Sequence, residues 1–251
     1  MPSVVVTAIV FGCVFGGALA GLFIGGRLPP HHLDDETQRI VKLSMGTVAA
    51  LSALVLGLLV SSAKSGFDAI DTEVTHSCAN LIQLDGVLLR YGPETAEARH
   101  ELRVYIAGKL DERWPQEAHA PATVDPGVHL QRAQDLLLLL RPANAVQRRL
   151  QSRALDLASD LGQTRWLLVE QSTRHSIPTP FLVILVFWAT VLFISFGVFA
   201  PHNATVVVAL LVSALSLAGA LFLVLELERP FGGVIHISSA PVRRALSLVD
   251  R

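Results

Sequence analysis

The chain has 251 residues, of which 51% are hydrophobic and 16% charged, with a formal net charge of -1. Both fractions depart from soluble averages in the membrane direction. The near-neutral balance offers no basic surface for nucleic acid, and two cysteines, Cys13 and Cys78, cannot supply a disulfide framework.

The first element in chain order is the apolar run Val4–Gly26, which holds no charged residue. About 20 helical residues cross a ~30 Å bilayer core, so the run predicts a membrane span. Ala18-Leu19-Ala20 resembles a signal-peptidase site. No Lys or Arg precedes the run, however, and it continues through Gly21-Leu22-Phe23-Ile24, which favours a retained span. Gly12, Gly16, Gly17, Gly21 and Gly25 have the small-xxx-small spacing that lets helices approach closely in lipid. The same spacing suits an oligomer seam or a pore wall.

Arg27–Lys42 follows, with His31-His32 and Asp34-Asp35-Glu36. Its ligand spacing is not diagnostic of a metal, and a solvated loop is expected. The second span is Leu43–Ala63, with Gly46, Ala50, Ala53 and Gly57 forming a small-residue face. From Lys64 the helix is expected to continue out of the membrane. Phe67, Ile70, Val74, Cys78, Leu81, Leu84 and Leu88 recur at three- and four-residue intervals and make one apolar stripe.

Tyr91-Gly92-Pro93-Glu94 ends that helix and starts the next. Ala98, Leu102, Tyr105, Ile106 and Leu110 form the next buried face. Trp114–Gly127 reads as a loop with Pro115, Pro121, Pro126 and Gly127 as breakers, and a short helix over Val128–Leu140 ends at Arg141-Pro142. A last helix shows Val146, Leu150, Ala154, Leu157, Leu161, Thr164 and Leu168 on one face and ends near Ser176. Its Asp160, Arg165 and Glu170 read as solvated or paired charges. Pro178 and Pro180 mark the entry of the third span, Ile177–Ala200. The Pro201-His202-Asn203 turn then forces an antiparallel hairpin with the fourth span, Ala204–Leu225, on which Ser213, Ser216 and Gly219 form a small face.

The expected fold is therefore all-α: a polytopic membrane protein with four transmembrane helices and a cytosolic helical bundle. Its parts are a first helix pair in 1–63, a cytosolic domain in 64–176, a second membrane hairpin in 177–225 and a cytosolic tail in 226–251. Residues 64–174 carry 13 Lys/Arg and 15 Asp/Glu. Near the spans, Lys64, Arg165, Arg174, Arg229, Arg243 and Arg244 lie on that side, against Arg27, Arg39 and Lys42 on the other. The excess puts both termini and the bundle in the cytoplasm. Cysteine usage fits a reducing compartment there. No ionisable residue lies inside a span, which disfavours an ion-coupled carrier but not a passive pore. No nucleophile, base or metal set stands out, so neither an enzyme nor a cofactor or metal is expected.

Two segments carry a resemblance. Leu54-Val55-Leu56-Gly57-Leu58-Leu59-Val60 with Ser61-Ser62-Ala63-Lys64-Ser65-Gly66-Phe67-Asp68, and Glu226-Leu227-Glu228-Arg229-Pro230-Phe231-Gly232 after the last span, resemble bestrophins. The Leu161–Leu168 segment and the tail from Arg229 to Pro241 are similar to the bacterial bestrophin-like family along the whole chain. Bestrophins are pentameric ion channels with four membrane helices per subunit. The resemblance implies a homo-oligomer in the bilayer, a pentamer by analogy, that passes inorganic ions across the bacterial inner membrane. It places Ala50, Leu54 and Leu58 at the pore neck, where five copies would stack apolar rings. These leucines alternatively pack in the bundle or face lipid. Animal bestrophins follow the Pro-Phe-Gly turn with a calcium-binding acidic cluster. Here Gly233-Val234-Ile235-His236-Ile237 follows, with no carboxylate before Asp250. The competing function is a non-conducting scaffold or sensor whose bundle recruits a partner.

Overall fold

The computed structural model describes residues 3–29, 34–115, 125–174 and 179–249, with the backbone alone over 167–174 and at 179. His31-His32, Pro121, Pro178, Asp250, the helix end expected near Ser176 and the side chains of Leu168 and Glu170 lie outside the described residues. The described residues form helices: α1 (Ser3–Gly25), α2 (Asp35–Tyr91), α3 (Ala96–Arg113), α4 (Gly127–Leu139), α5 (Ala145–Arg174), α6 (Thr179–Val198), α7 (Ala204–Leu227) and α8 (Ala240–Val249). No strand occurs among them. α1, α6, α7 and the first part of α2 are long and apolar enough to cross a membrane.

The chain divides into two compact units, one of Met1–Phe67 with Ser176–Arg229, the other of Asp68–His175 with Pro230–Arg251. In the first unit, α1 packs against α6 and α7. Val10, Val14, Ala18 and Leu22 of α1 meet Leu185, Ala189 and Phe193 of α6 and Leu210, Ala214 and Leu221 of α7. Glycine permits the α1–α6 crossing. A Cβ at Gly21 would collide with the Ile194 carbonyl, one at Gly25 with the Val198 carbonyl, and one at Gly197 with the Ala18 carbonyl. Backbones this close exchange dispersion contacts that bulky side chains would prevent.

The turn between α6 and α7 is held by its own residues. The Asn203 side chain accepts from the Val206 backbone N–H at 2.9 Å and caps α7. The His202 ring Nε2 lies 2.8 Å from the Leu22 carbonyl, where it donates to an end carbonyl of α1. α2 starts at Asp35, earlier than the apolar run, because Asp34 Oδ1 accepts from the Thr37 backbone N–H at 3.0 Å. Arg39 and Lys42 are thus helical, with stems that can run along the helix while their heads reach water.

In the second unit, α2 buries Ile70, Val74, Cys78, Leu81, Leu84 and Leu88. α2 stops at Tyr91 because Gly92 adopts φ of 137°, a value that side-chain-bearing residues rarely take, and Pro93–Thr95 forms a 3₁₀ turn. α3 buries Ala98, Leu102, Tyr105 and Ile106. α4 starts at Gly127, where Asp125 Oδ1 accepts the Gly127 N–H at 2.8 Å. α5 buries Ala154, Leu157, Ala158, Leu161 and Thr164, while Val146 in its first turn is 66% exposed and lies before that face.

The segment Ala240–Val249, read in the sequence as tail, forms α8. The Ser238 hydroxyl accepts from the Ala240 N–H at 3.2 Å, and Val242, Ala245 and Val249 are buried at helical spacing. At its far end the Arg99 and Arg103 guanidinium groups both donate to the Val249 carbonyl, at 3.5 and 3.4 Å. Arg99 also meets buried Asp85 at 2.7 Å. Arginines at a helix C-terminus complement its partial negative charge.

Candidate functional site

The membrane part of α2 has two unlike faces. Val55, Leu56 and Leu59 pack against the α1–α6–α7 core. Ala50, Leu54 and Leu58 stand on the opposite, exposed face, with Leu54 at 61% and Leu58 at 63% exposure. Their spacing of four residues aligns them along the helix. Within its span only 6% of α2 is buried by its own chain, against 28% for α1 and α6.

Exposure alone also suits lipid, since Phe23 and Phe187 are as exposed. Residue size separates the faces. No aromatic residue occurs in Leu43–Ala63, whereas α1 carries Phe11, Phe15 and Phe23, and α6 carries Phe181, Phe187, Trp188, Phe193 and Phe196. Gly46 and Gly57 also lie on the open side of α2, with nothing near their Cβ positions. A smooth face of small residues and leucines allows protein surfaces to meet closely.

The glycines singled out in α1 separate into two groups. Gly21, with its neighbours Gly17 and Gly25, faces α6, while Gly12 and Gly16 have open space at their Cβ positions. Gly197, on the other side of that contact, had no repeat to mark it in the sequence.

The expected post-span turn is partly helix. α7 continues through Glu226 and Leu227, and buried Glu226 accepts the Arg229 N–H at its carbonyl at 2.9 Å. Glu228 caps the helix, and Pro230 disfavours helical angles at Arg229, so the chain leaves the helix there. Beyond it, within the second unit, the Pro230 carbonyl accepts the Ile237 N–H at 2.8 Å, and Trp114 Nε1 donates to the Ile237 carbonyl at 2.8 Å. Phe231 stands edge-on to the Trp114 ring at 5.2 Å. The Arg113 guanidinium lies 5.1 Å over the Phe231 ring. Gly232 has open space around it. In the sequence Trp114 opens the expected loop and Ile237 sits in the family-like tail, whereas both are buried here. A buried tryptophan with an indole N–H that needs an acceptor was the available signal.

Proline at 230 limits the unfolded chain as well as the folded one. Pro230→Ala is expected to shift the folding equilibrium about two- to fivefold toward the unfolded chain, equivalent to the ~0.4–1 kcal/mol a fixed φ contributes. Thermal unfolding of the variant in detergent checks this, and an unchanged stability refutes it.

Comparison with known proteins bears on this arrangement. The family model of the bestrophin-like domain matches residues 12–242. No curated protein matches the chain. Among solved structures, a point mutant of a bacterial bestrophin homolog from Klebsiella pneumoniae has a similar fold, with a TM-score of 0.63 and 13% sequence identity, over 96% of this chain and 97% of that one.

Proposed function

Because the chain belongs to the bestrophin-like family, we propose that it is a homo-oligomeric ion channel or pore of the bacterial inner membrane. The observation that carries the reading is the leucine face of α2. It is exposed in a single chain, free of aromatic residues, and built of Ala50, Leu54 and Leu58. Arranged around an axis, in five copies by analogy, this face forms an apolar constriction. Such rings conduct when wetted and block when dry. Gly12, Gly16, Gly46 and Gly57 then belong to seams between subunits or to the bilayer-facing surface.

Purified protein in lipid vesicles tests the function. Potassium and chloride efflux above that of empty vesicles is expected. An intact oligomer that releases neither ion favours the scaffold or sensor reading.

Orientation follows from charge. Arg243 and Arg244 of α8 are exposed cations near the end of the chain, and the larger polar unit holds most of the Lys and Arg. Cytoplasmic termini are the arrangement this charge distribution favours. A carboxy-terminal alkaline phosphatase fusion is expected to be inactive. Activity in the periplasm would overturn the orientation.

A further inference from the structure

A cavity of about 70 Å³ lies within the second unit, between α2, α3, α5 and the segment after α7. Val74, Leu81, Ile106 and Val242 give it apolar walls, and Lys109, Arg113 and Arg165 also line it. The neutral polar groups that line it are Ser77, Cys78 and Tyr105. Burial pushes the Cys78 thiol up to about 11 and the Tyr105 hydroxyl up to about 12, the latter against the pull of Arg165. Both therefore stay neutral near pH 7, and neither answers the cations with a negative charge.

The protein's own carboxylates satisfy only part of this positive set. Glu112 meets Lys109 at 2.5 Å. Asp125 meets the Arg165 Nη2 at 2.6 Å, and its carboxyl is held below the usual range by the Gly127 N–H and by Arg165. Arg165 Nε is buried and has no acceptor among the described residues. Arg113 rests on the Phe231 ring and has no carboxylate partner among the described residues. A buried donor without an acceptor costs about 1–3 kcal/mol unless something else fills the place. Gly127 makes room for this arginine, since a Cβ there would overlap the Arg165 guanidinium.

We propose that this cavity is a binding site for a short-chain organic monocarboxylate, its apolar body among Val74, Leu81 and Ile106 and its carboxylate toward Arg113 and Arg165. The cavity is open on one side, so its volume bounds the apolar end alone. A cavity of ~150 Å³ takes the six carbons of benzene, so about half that volume takes roughly three, the propyl body of butyrate. A carboxylate matches guanidinium geometry and gains most where water is scarce. The proposal is independent of whether the protein conducts, because it concerns the second unit alone.

Butyrate is the probe, measured by isothermal titration calorimetry on the full-length, detergent-solubilised protein. Butyramide has nearly the same shape without the charge, and acetate has the charge without the body. Saturable butyrate binding is expected, with butyramide and acetate each at least about tenfold weaker. Arg113→Gln should weaken butyrate about tenfold, and Arg113→Lys should recover part of the loss. If Arg113→Gln does not fold, the ratio of butyrate to butyramide on the unaltered protein decides alone. No saturable butyrate binding, equal binding of butyramide, or unchanged butyrate affinity in folded Arg113→Gln overturns the proposal.

Discussion

Replacing Leu54 and Leu58 together by alanine is expected to raise the ion conductance of the reconstituted protein by about tenfold or more. A tenfold rise corresponds to a barrier lowered by ~1.4 kcal/mol. The physical cause is water. A narrow ring of leucine side chains excludes water, and an ion that enters it loses hydration without gaining a partner. Alanine widens the ring and lowers that cost. Both leucines are exposed in the single chain, so truncation leaves no cavity in the protomer core. Val55→Ala, on the opposite packed face, is the control and should change stability rather than conductance. Single-channel recording of the assembled double variant checks the expectation. A conductance equal to that of the unaltered protein counts against a leucine neck.

The second large effect concerns the α1–α6 crossing. Gly21→Ala or Gly197→Ala should destabilise the first unit by about 2–3 kcal/mol, as overpacking does in a well-packed core. The added Cβ meets backbone rather than a movable side chain, so the helices must separate. Gly12→Ala and Gly16→Ala, with open space at those positions, should leave protomer stability within about 0.5 kcal/mol. Thermal unfolding in detergent distinguishes the two sets. Equal losses from Gly12→Ala and Gly21→Ala would refute the crossing as described. A lower oligomer yield from Gly12→Ala with an unchanged protomer would instead place Gly12 at a subunit seam.

The spans were legible because each is a long apolar run without charge, a pattern that lipid requires and water penalises. The stripe from Phe67 to Leu88 was legible for a related reason: one face of α2 repeats at helical period. Gly92 announced the end of α2 through its neighbour Pro93. The start of α2 was less visible, because Asp35–Lys42 is polar and its helical state depends on the Asp34 cap. α8 was not visible either. Ten residues are too few to form a stable helix alone, and its three apolar anchors are helical only against the rest of the unit.

The candidate site divides along the same line. Ala50, Leu54 and Leu58 were legible as a face because helix geometry is local. Which glycines of α1 meet α6 was not, since Gly12-Gly16 and Gly17-Gly21-Gly25 show the same four-residue spacing and only the partner helix tells the two series apart. The cavity beneath Phe231 was beyond reach of the sequence. It gathers Cys78, Tyr105, Arg165 and Phe231, which are far apart in the chain. In the sequence Arg165 reads as a solvated or paired charge. Its Asp125 partner fits the paired reading, while its buried Nε does not fit solvation.

The structure of the purified oligomer by electron cryomicroscopy in a lipid nanodisc tests the leucine neck most directly. A closed ring of subunits is expected, with the Leu54 and Leu58 side chains pointing at the symmetry axis, where they form its narrowest apolar constriction. An intact oligomer in which both side chains face lipid, or whose axis is lined by another helix, would contradict it.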